Sequence, residues 1–135
     1  MTFEEALERD GKLVYRTRGT SMEPMLRQDR DLVVLEPVNG RLQRFDVALY
    51  RRGSKYVLHR VIRVQENGCM FRGDNTYVLE EVPDSALVGV LTGFVRKGKQ
   101  IPVTDRRYRL YAAFWCAVYP LRRLAAGIVH AVKRL

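Results

Sequence analysis

The feature that most constrains this fold is a series of short apolar runs over residues 11–103, each bounded by turn residues. Strands of globular proteins have this length, usually about 3–10 residues. The predicted strands are 12–16, 31–38, 45–51, 56–64, 69–72 and 86–95. The third and fourth should form a hairpin at Gly53 and Ser54. So many short strands indicate a mainly β fold with a coiled, partly closed sheet.

The chain changes character at residues 104–135. Apolar side chains recur there at three- and four-residue spacing, with basic side chains largely on the other side, as in an amphipathic helix. Pro120 interrupts the pattern and predicts two short helices or one kinked helix. We therefore divide the chain into a β-rich domain, 1–103, and a basic amphipathic helical segment, 104–135.

Charge is concentrated in the second of these regions. The 135 residues carry a net charge of +9, and residues 105–135 contain seven basic residues against one acidic residue. Such a segment favours an anionic membrane surface, an acidic partner or a nucleic acid. Nucleic acid is the least expected, because no groove-reading motif accompanies the charge. The segment is expected either to pack on the β domain or to lie on a membrane.

The sequence gives no targeting signal. Residues 1–10 are acidic, unlike a signal peptide, and no apolar stretch reaches the roughly 18–20 residues of a membrane span. The expected location is therefore the cytoplasm, or the membrane surface if the basic segment binds lipid. Cys69 and Cys116 are expected to be free, buried thiols. With two cysteines and two histidines at unrelated positions, no metal site is expected.

A glycine and a proline bracket the first candidate for chemistry, Ser21. Gly19 permits a tight turn ahead of the serine, and Pro24 stiffens the far side. Such a turn presents a hydroxyl and leaves backbone N–H groups available to an oxyanion. The structural alternative is an ordinary turn or capping serine.

His59 is the second candidate, because it lies in the middle of a predicted strand. Val57 and Val61 share its face, so the imidazole should point into apolar surroundings. Burial favours the neutral imidazole, which can accept a proton from a hydroxyl. The structural alternative is a hydrogen-bonded core histidine. Asp74 follows in a turn at 72–75, where it could orient an imidazole or simply close the turn.

The order of three motifs is more specific than any one of them. SMEP at 21–24, LHRVI at 58–62 and RGDN at 72–75 closely resemble the catalytic core of type I signal peptidases. The likeness is strongest to the archaeal and eukaryotic enzymes, which use histidine as base. Residues 88–95 resemble that family's closing strand, and the whole likeness covers roughly 11–100. The chain also resembles the LexA-like autoproteases, which have a G-x-S-M turn and a lysine where His59 falls.

The resemblance implies a role for each matched residue. Ser21 would be the nucleophile, His59 its general base and Asp74 the residue that orients the base. Gly19, Thr20 and Ser21 would form the nucleophile turn, with the Ser21 N–H as one oxyanion donor. Bacterial relatives have a serine at the position of Gly19, so here Thr20 or a backbone N–H would replace that hydroxyl. The implied chemistry is acyl transfer, without metal or cofactor.

The implied function is a serine endopeptidase that cleaves an extended leader, signal or precursor peptide. One alternative is a LexA-like regulatory autoprotease, for which the Ala126-Gly127 bond resembles a cleavage site. Only twenty residues precede Ser21, too few for a DNA-binding domain and a linker. Another alternative is a non-catalytic peptide-binding module of the same fold, although Ser21 and His59 are both present.

The sequence also offers replacements for two of these roles. If Asp74 does not orient the histidine, Asp46 and Asp84 are the next acidic candidates. If His59 is not the base, Lys55 is the nearest lysine, although its place at the start of a strand suits a solvated side chain.

Overall fold

One antiparallel sheet dominates the computed structural model, which describes residues 2–16, 19, 21–27 and 30–134, without the side chains of 130, 132 and 134. The strands are β1 Leu13–Arg16, β2 Asp31–Glu36, β3 Val47–Arg52, β4 Lys55–Val64, β5 Gly68–Arg72, β6 Glu80–Pro83, β7 Leu87–Arg96 and β8 Lys99–Pro102. The helices are α1 Phe3–Asp10, α2 Arg106–Ala117 and α3 Tyr119–Arg134, with a short 3₁₀ turn at Asp84–Ala86.

The strand order is β1-β2-β7-β3-β4-β5-β6, and β8 pairs with β7. Within the described residues β1 and β6 are the two ends of this order, so the sheet is unclosed where the sequence predicted partial closure. All six predicted strands are present, with ends that move by at most two residues. The mainly β prediction is confirmed, whereas β6 and β8 were not predicted.

Both faces of β3 are buried, which places it at the centre of the domain. Val47 and Leu49 point into a first core cluster, together with side chains of α1, α2 and the turn at 22–26. Ala48 and Tyr50 point into a second cluster, with side chains of β4, β5 and β6. Successive residues of a strand face opposite sides, so one strand serves both clusters.

The β3–β4 hairpin sets the register on which the site depends. A two-residue turn at Gly53 and Ser54 joins the strands, and Gly53 has a φ of +60°, where glycine is favoured. Arg52 then pairs with Lys55, which places Ala48 directly opposite His59. Tyr50 is two residues from Ala48 in the same strand. It therefore lies on the face of His59 as a diagonal neighbour.

The C-terminal segment forms two helices that meet in a bend at Val118, and α2 packs on the sheet. Asp105 caps α2 by accepting the N–H of Tyr108, and the Tyr108 ring is buried in the first cluster. α3 leaves at an angle of 57°. The N–H of Val118 donates to Phe114 O and that of Arg122 to Val118 O, so helical register continues through the bend.

No single helix in the described part of the chain has the length and apolarity that a membrane crossing needs. Residues 106–117 and 119–129 satisfy that criterion only when the two bent segments are taken together. Both cysteines are free thiols, as predicted, and Cys69 is buried, but Cys116 is only half-buried, which corrects the prediction that both are buried. Burial raises the pKa of both thiols.

Candidate active site

The Ser21 turn is anchored by buried side chains that follow the serine. Met22, Met25 and Leu26 are all buried in the first core cluster, and the N–H of Leu26 donates to Met22 O at 3.0 Å. Ser21 itself is half-buried. Gly19 has a φ of +81°, in the region that favours glycine, as the sequence predicted for a turn at this point. Thr20, the predicted oxyanion residue, lies outside the described residues.

Gly73 brings the serine and the histidine together. A Cβ added to Gly73 would lie 2.5 Å from the carbonyl oxygen of Ser21. The same atom would lie 3.0 Å from both Nε2 and Cδ2 of His59. The N–H of Asn75 also donates to Ser21 O at 2.8 Å. The three motifs singled out in the sequence therefore meet at one point, where only a residue without a side chain fits.

The other ring nitrogen of His59 faces away from Ser21, towards Tyr50. His59 Nδ1 lies 3.1 Å from the Tyr50 hydroxyl, which donates to Oε1 of Glu80. Arg52 Nε in turn donates to Glu80 Oε2 at 2.7 Å. An ionised carboxylate has no proton to donate, so the Tyr50 hydroxyl donates its proton to Glu80. A lone pair on the Tyr50 oxygen is then left to accept a hydrogen bond from Nδ1–H of His59. The lone pair of the imidazole is then on Nε2, which lies beside Gly73.

The pKa directions agree with this arrangement of protons. Hydrogen bonding to Arg52 lowers the pKa of Glu80. Burial, and then the Glu80 carboxylate, raises the pKa of Tyr50. Burial lowers the pKa of His59, and the charge of Arg52 lowers it further, while Glu80 and Asp74 act in the opposite direction. At neutral pH the site therefore contains an ionised Glu80, a protonated Tyr50 and a neutral His59.

Asp74 occupies a different place from the one predicted. Its carboxylate accepts from Arg60 Nε at 2.8 Å and from Arg60 Nη2 at 3.0 Å. Tyr111 donates a third hydrogen bond, at 2.7 Å. His59 and Arg60 are consecutive in β4 and point to opposite faces, and the Asp74 carboxylate lies on the face of Arg60. The side chain on His59 Nδ1 is therefore Tyr50, which corrects the prediction for Asp74.

No model of a known protein family matches the chain, and no curated protein is significantly similar to it. The described residues contain no group of three or more His, Cys, Asp or Glu side chains that could hold a metal ion.

The main chain of Asp74 is held by the C-terminal helices. Trp115 Nε1 donates to Asp74 O at 2.8 Å, and Arg122 Nη1 donates to the same oxygen at 2.9 Å. The Arg122 guanidinium stacks on the Trp115 ring, 4.1 Å from its centre. We call residues 73–76 the site loop. The site loop lies between the Ser21 turn and the helices. Helical periodicity alone could not predict that Trp115 and Arg122 contact this loop.

The replacement candidates lie elsewhere in the fold. The Asp46 carboxylate accepts the N–H of Gln43 at 2.7 Å, and burial raises its pKa. Asp84 is exposed and begins the 3₁₀ turn between β6 and β7. Lys55 is exposed at the end of the β3–β4 hairpin. The sequence did not point to the carboxylate of Glu80. Glu80 is connected to His59 only through the Tyr50 hydroxyl, so no local pattern links the two residues.

Proposed function

We propose that this chain is a serine endopeptidase with Ser21 as nucleophile and His59 as general base. The observation that carries the proposal is the shared contact at Gly73, where the Ser21 main chain and the Nε2 edge of His59 meet. A neutral histidine whose Nδ1 is held and whose Nε2 lies close to the main chain of a serine can act as the general base of that serine.

The reaction follows from the proton positions. Nε2 of neutral His59 takes the Ser21 hydroxyl proton as Oγ bonds to the carbonyl carbon of the peptide. The Ser21 N–H is the oxyanion donor in this mechanism. The imidazolium then protonates the leaving amine as the C–N bond breaks, and water hydrolyses the acyl-enzyme by the same proton transfers in reverse. Tyr50 and Glu80 are positioning residues, which hold the ring and stabilise its positive charge.

The substrate in this proposal is an extended leader, signal or precursor peptide. β1 is an end strand that leads into the Ser21 turn, and in the described residues it pairs only with β2. A peptide strand can add to such an edge through main-chain hydrogen bonds. The autoprotease alternative is less favoured, because the Ala126-Gly127 bond lies within helix α3 rather than in an extended segment.

A fluorophosphonate serine probe, with intact mass as readout, tests the nucleophile without knowledge of the substrate. We expect one adduct on the wild type and none on Ser21→Ala. Ser54→Ala, which removes an exposed hairpin hydroxyl, should be labelled normally. His59→Ala should slow labelling by orders of magnitude. Absence of labelling of the folded wild type, or undiminished labelling of Ser21→Ala, would refute the proposal.

Tyr50→Phe tests the positioning role separately. The ring stays buried against Phe71, but Nδ1 loses its partner and the imidazole can adopt the wrong tautomer. We expect labelling to slow by at least about 10-fold, towards the about 10⁴-fold seen when an orienting carboxylate is lost. Tyr15→Phe, which removes the hydroxyl of a ring that packs against Phe3, is the control and should label at the wild-type rate.

A further inference from the structure

A stripe of large apolar side chains runs along the outer side of both C-terminal helices. The stripe consists of Leu110, Phe114, Leu121, Leu124 and Ile128, each between 55% and 71% exposed. Their spacing of four, seven, three and four residues keeps them on one face of a continuous helical register. Because the main-chain hydrogen bonds at Val118 and Arg122 preserve that register through the bend, one stripe spans both helices.

The inner side of the same helices is already occupied. Tyr108 and Ala112 are buried against the sheet, and Trp115 and Arg122 hold the site loop. The outer stripe therefore has no remaining role in the fold of the described residues. Contiguous apolar surface of this kind marks an interaction site on a protein.

Charge identifies the partner. Residues 105–135 contain seven basic residues and one acidic residue, and exposed Arg123 and Lys133 lie on α3 with the stripe. A second copy of the chain would bring two strongly basic segments together, which is unfavourable. A helix with an apolar face and exposed arginine and lysine elsewhere on its surface is instead typical of one that lies in the interface of a membrane.

We propose that the outer stripe inserts into the surface of an anionic lipid bilayer, with the helices parallel to the membrane plane. The apolar side chains enter the acyl boundary, and the basic residues contact the acidic headgroups. The proposal does not depend on the peptidase assignment, and its test needs no catalytic readout.

Co-sedimentation with vesicles tests the proposal. We expect the full chain to bind vesicles of phosphatidylcholine with phosphatidylglycerol, to bind pure phosphatidylcholine much more weakly, and to be released as salt is raised. Leu124→Gln with Ile128→Gln should weaken binding by about 10–100-fold, through lost apolar burial. The control, Val14→Gln with Val64→Gln, removes exposed apolar side chains from strands β1 and β4 and should bind normally.

The charge contribution has its own variant. Arg123→Gln with Lys133→Gln should weaken binding by about 30-fold, the equivalent of about 1 kcal/mol per charge. Lys12→Gln with Lys55→Gln removes two exposed charges outside the helices and should have little effect. These results would support a surface-bound helix pair.

Four results would overturn the proposal. The first is no binding to anionic vesicles at low salt, and the second is binding that Leu124→Gln with Ile128→Gln leaves unchanged. A third is resistance to extraction at alkaline pH, which would mean that the helices cross the bilayer. The last is a dimer in sedimentation equilibrium that the same variant dissociates, which would mean that a second copy covers the stripe.

Discussion

Replacement of Asp74 by asparagine should destabilise the fold rather than disturb His59. Arg60 and Asp74 are both buried, and the carboxylate accepts two hydrogen bonds from the guanidinium and one from Tyr111. An asparagine side chain has one acceptor oxygen and an NH₂ group in place of the second oxygen. The NH₂ group would therefore face a donor of Arg60 or Tyr111 and could not accept its hydrogen bond. The asparagine also leaves the Arg60 charge without its carboxylate.

Removal of one partner from a buried ion pair costs about 3–5 kcal/mol. Each hydrogen bond to a charged group contributes about 1.5–3 kcal/mol, so the loss of at least one such bond and of the charge accounts for that figure. The free energy of unfolding of a domain is about 5–15 kcal/mol. The loss is therefore a large fraction of the total, and the melting midpoint should fall by about 10–20 °C.

Urea unfolding, followed by circular dichroism, measures this loss directly. Asp10→Asn is the matched control, because the ion pair of Asp10 with Arg9 is exposed. The urea midpoint of this variant should not differ measurably from that of the wild type. Labelling by the serine probe, well below the melting midpoint, should fall less for Asp74→Asn than for Tyr50→Phe. An Asp74→Asn protein as stable as the wild type, but labelled as slowly as His59→Ala, would refute this reasoning.

Three further predictions concern the site itself. Gly73→Ala should abolish labelling, because its Cβ would collide with Ser21 O. Gly68→Ala is the control: its Cβ would lie 2.3 Å from Val82 O, outside the site, so it should lower the melting midpoint but not the labelling of the folded protein. The labelling rate should fall on its acid side with a midpoint below about pH 6.5, since burial lowers the pKa of His59. His59 then binds its proton more tightly in the unfolded chain than in the folded one, so stability against urea should decrease as the pH falls below about 6.5. A labelling rate whose acid midpoint lies well above neutrality would contradict a histidine base. Glu80→Gln should move the acid limb to still lower pH by removing a charge that favours the imidazolium, whereas Glu81→Gln, an exposed neighbour, should leave it in place.

The sequence predicts the strands well where an apolar run ends at a turn signal and poorly where it does not. β3 and β4 are apolar runs joined by a glycine turn, and both were placed to within two residues. β6 is Glu80–Pro83, with two glutamates and a proline in four residues, and β8 is Lys99–Pro102. Such short polar segments become strands because a neighbouring strand offers hydrogen bonds, and a single sequence does not contain that information.

The same distinction applies to the site. Gly19, Ser21 and His59 follow from local turn and strand patterns, and the pairing of Tyr50 with His59 follows from the hairpin register. That signal was present in the sequence, since a two-residue turn fixes which side chains are diagonal neighbours. The position of Glu80 was not predictable, because it depends on the order of β4, β5 and β6 in the sheet.

The contacts of Trp115 and Arg122 with the site loop also affect when the site can form as the chain is synthesised. Both side chains donate to Asp74 O, from 41 and 48 residues further along the chain. A nascent chain emerges from its amino terminus, so the Ser21 turn, the β3–β4 hairpin and the site loop all leave the ribosome before these partners exist. The order of synthesis therefore leaves the site loop without two of its hydrogen-bond donors until residue 122 has emerged.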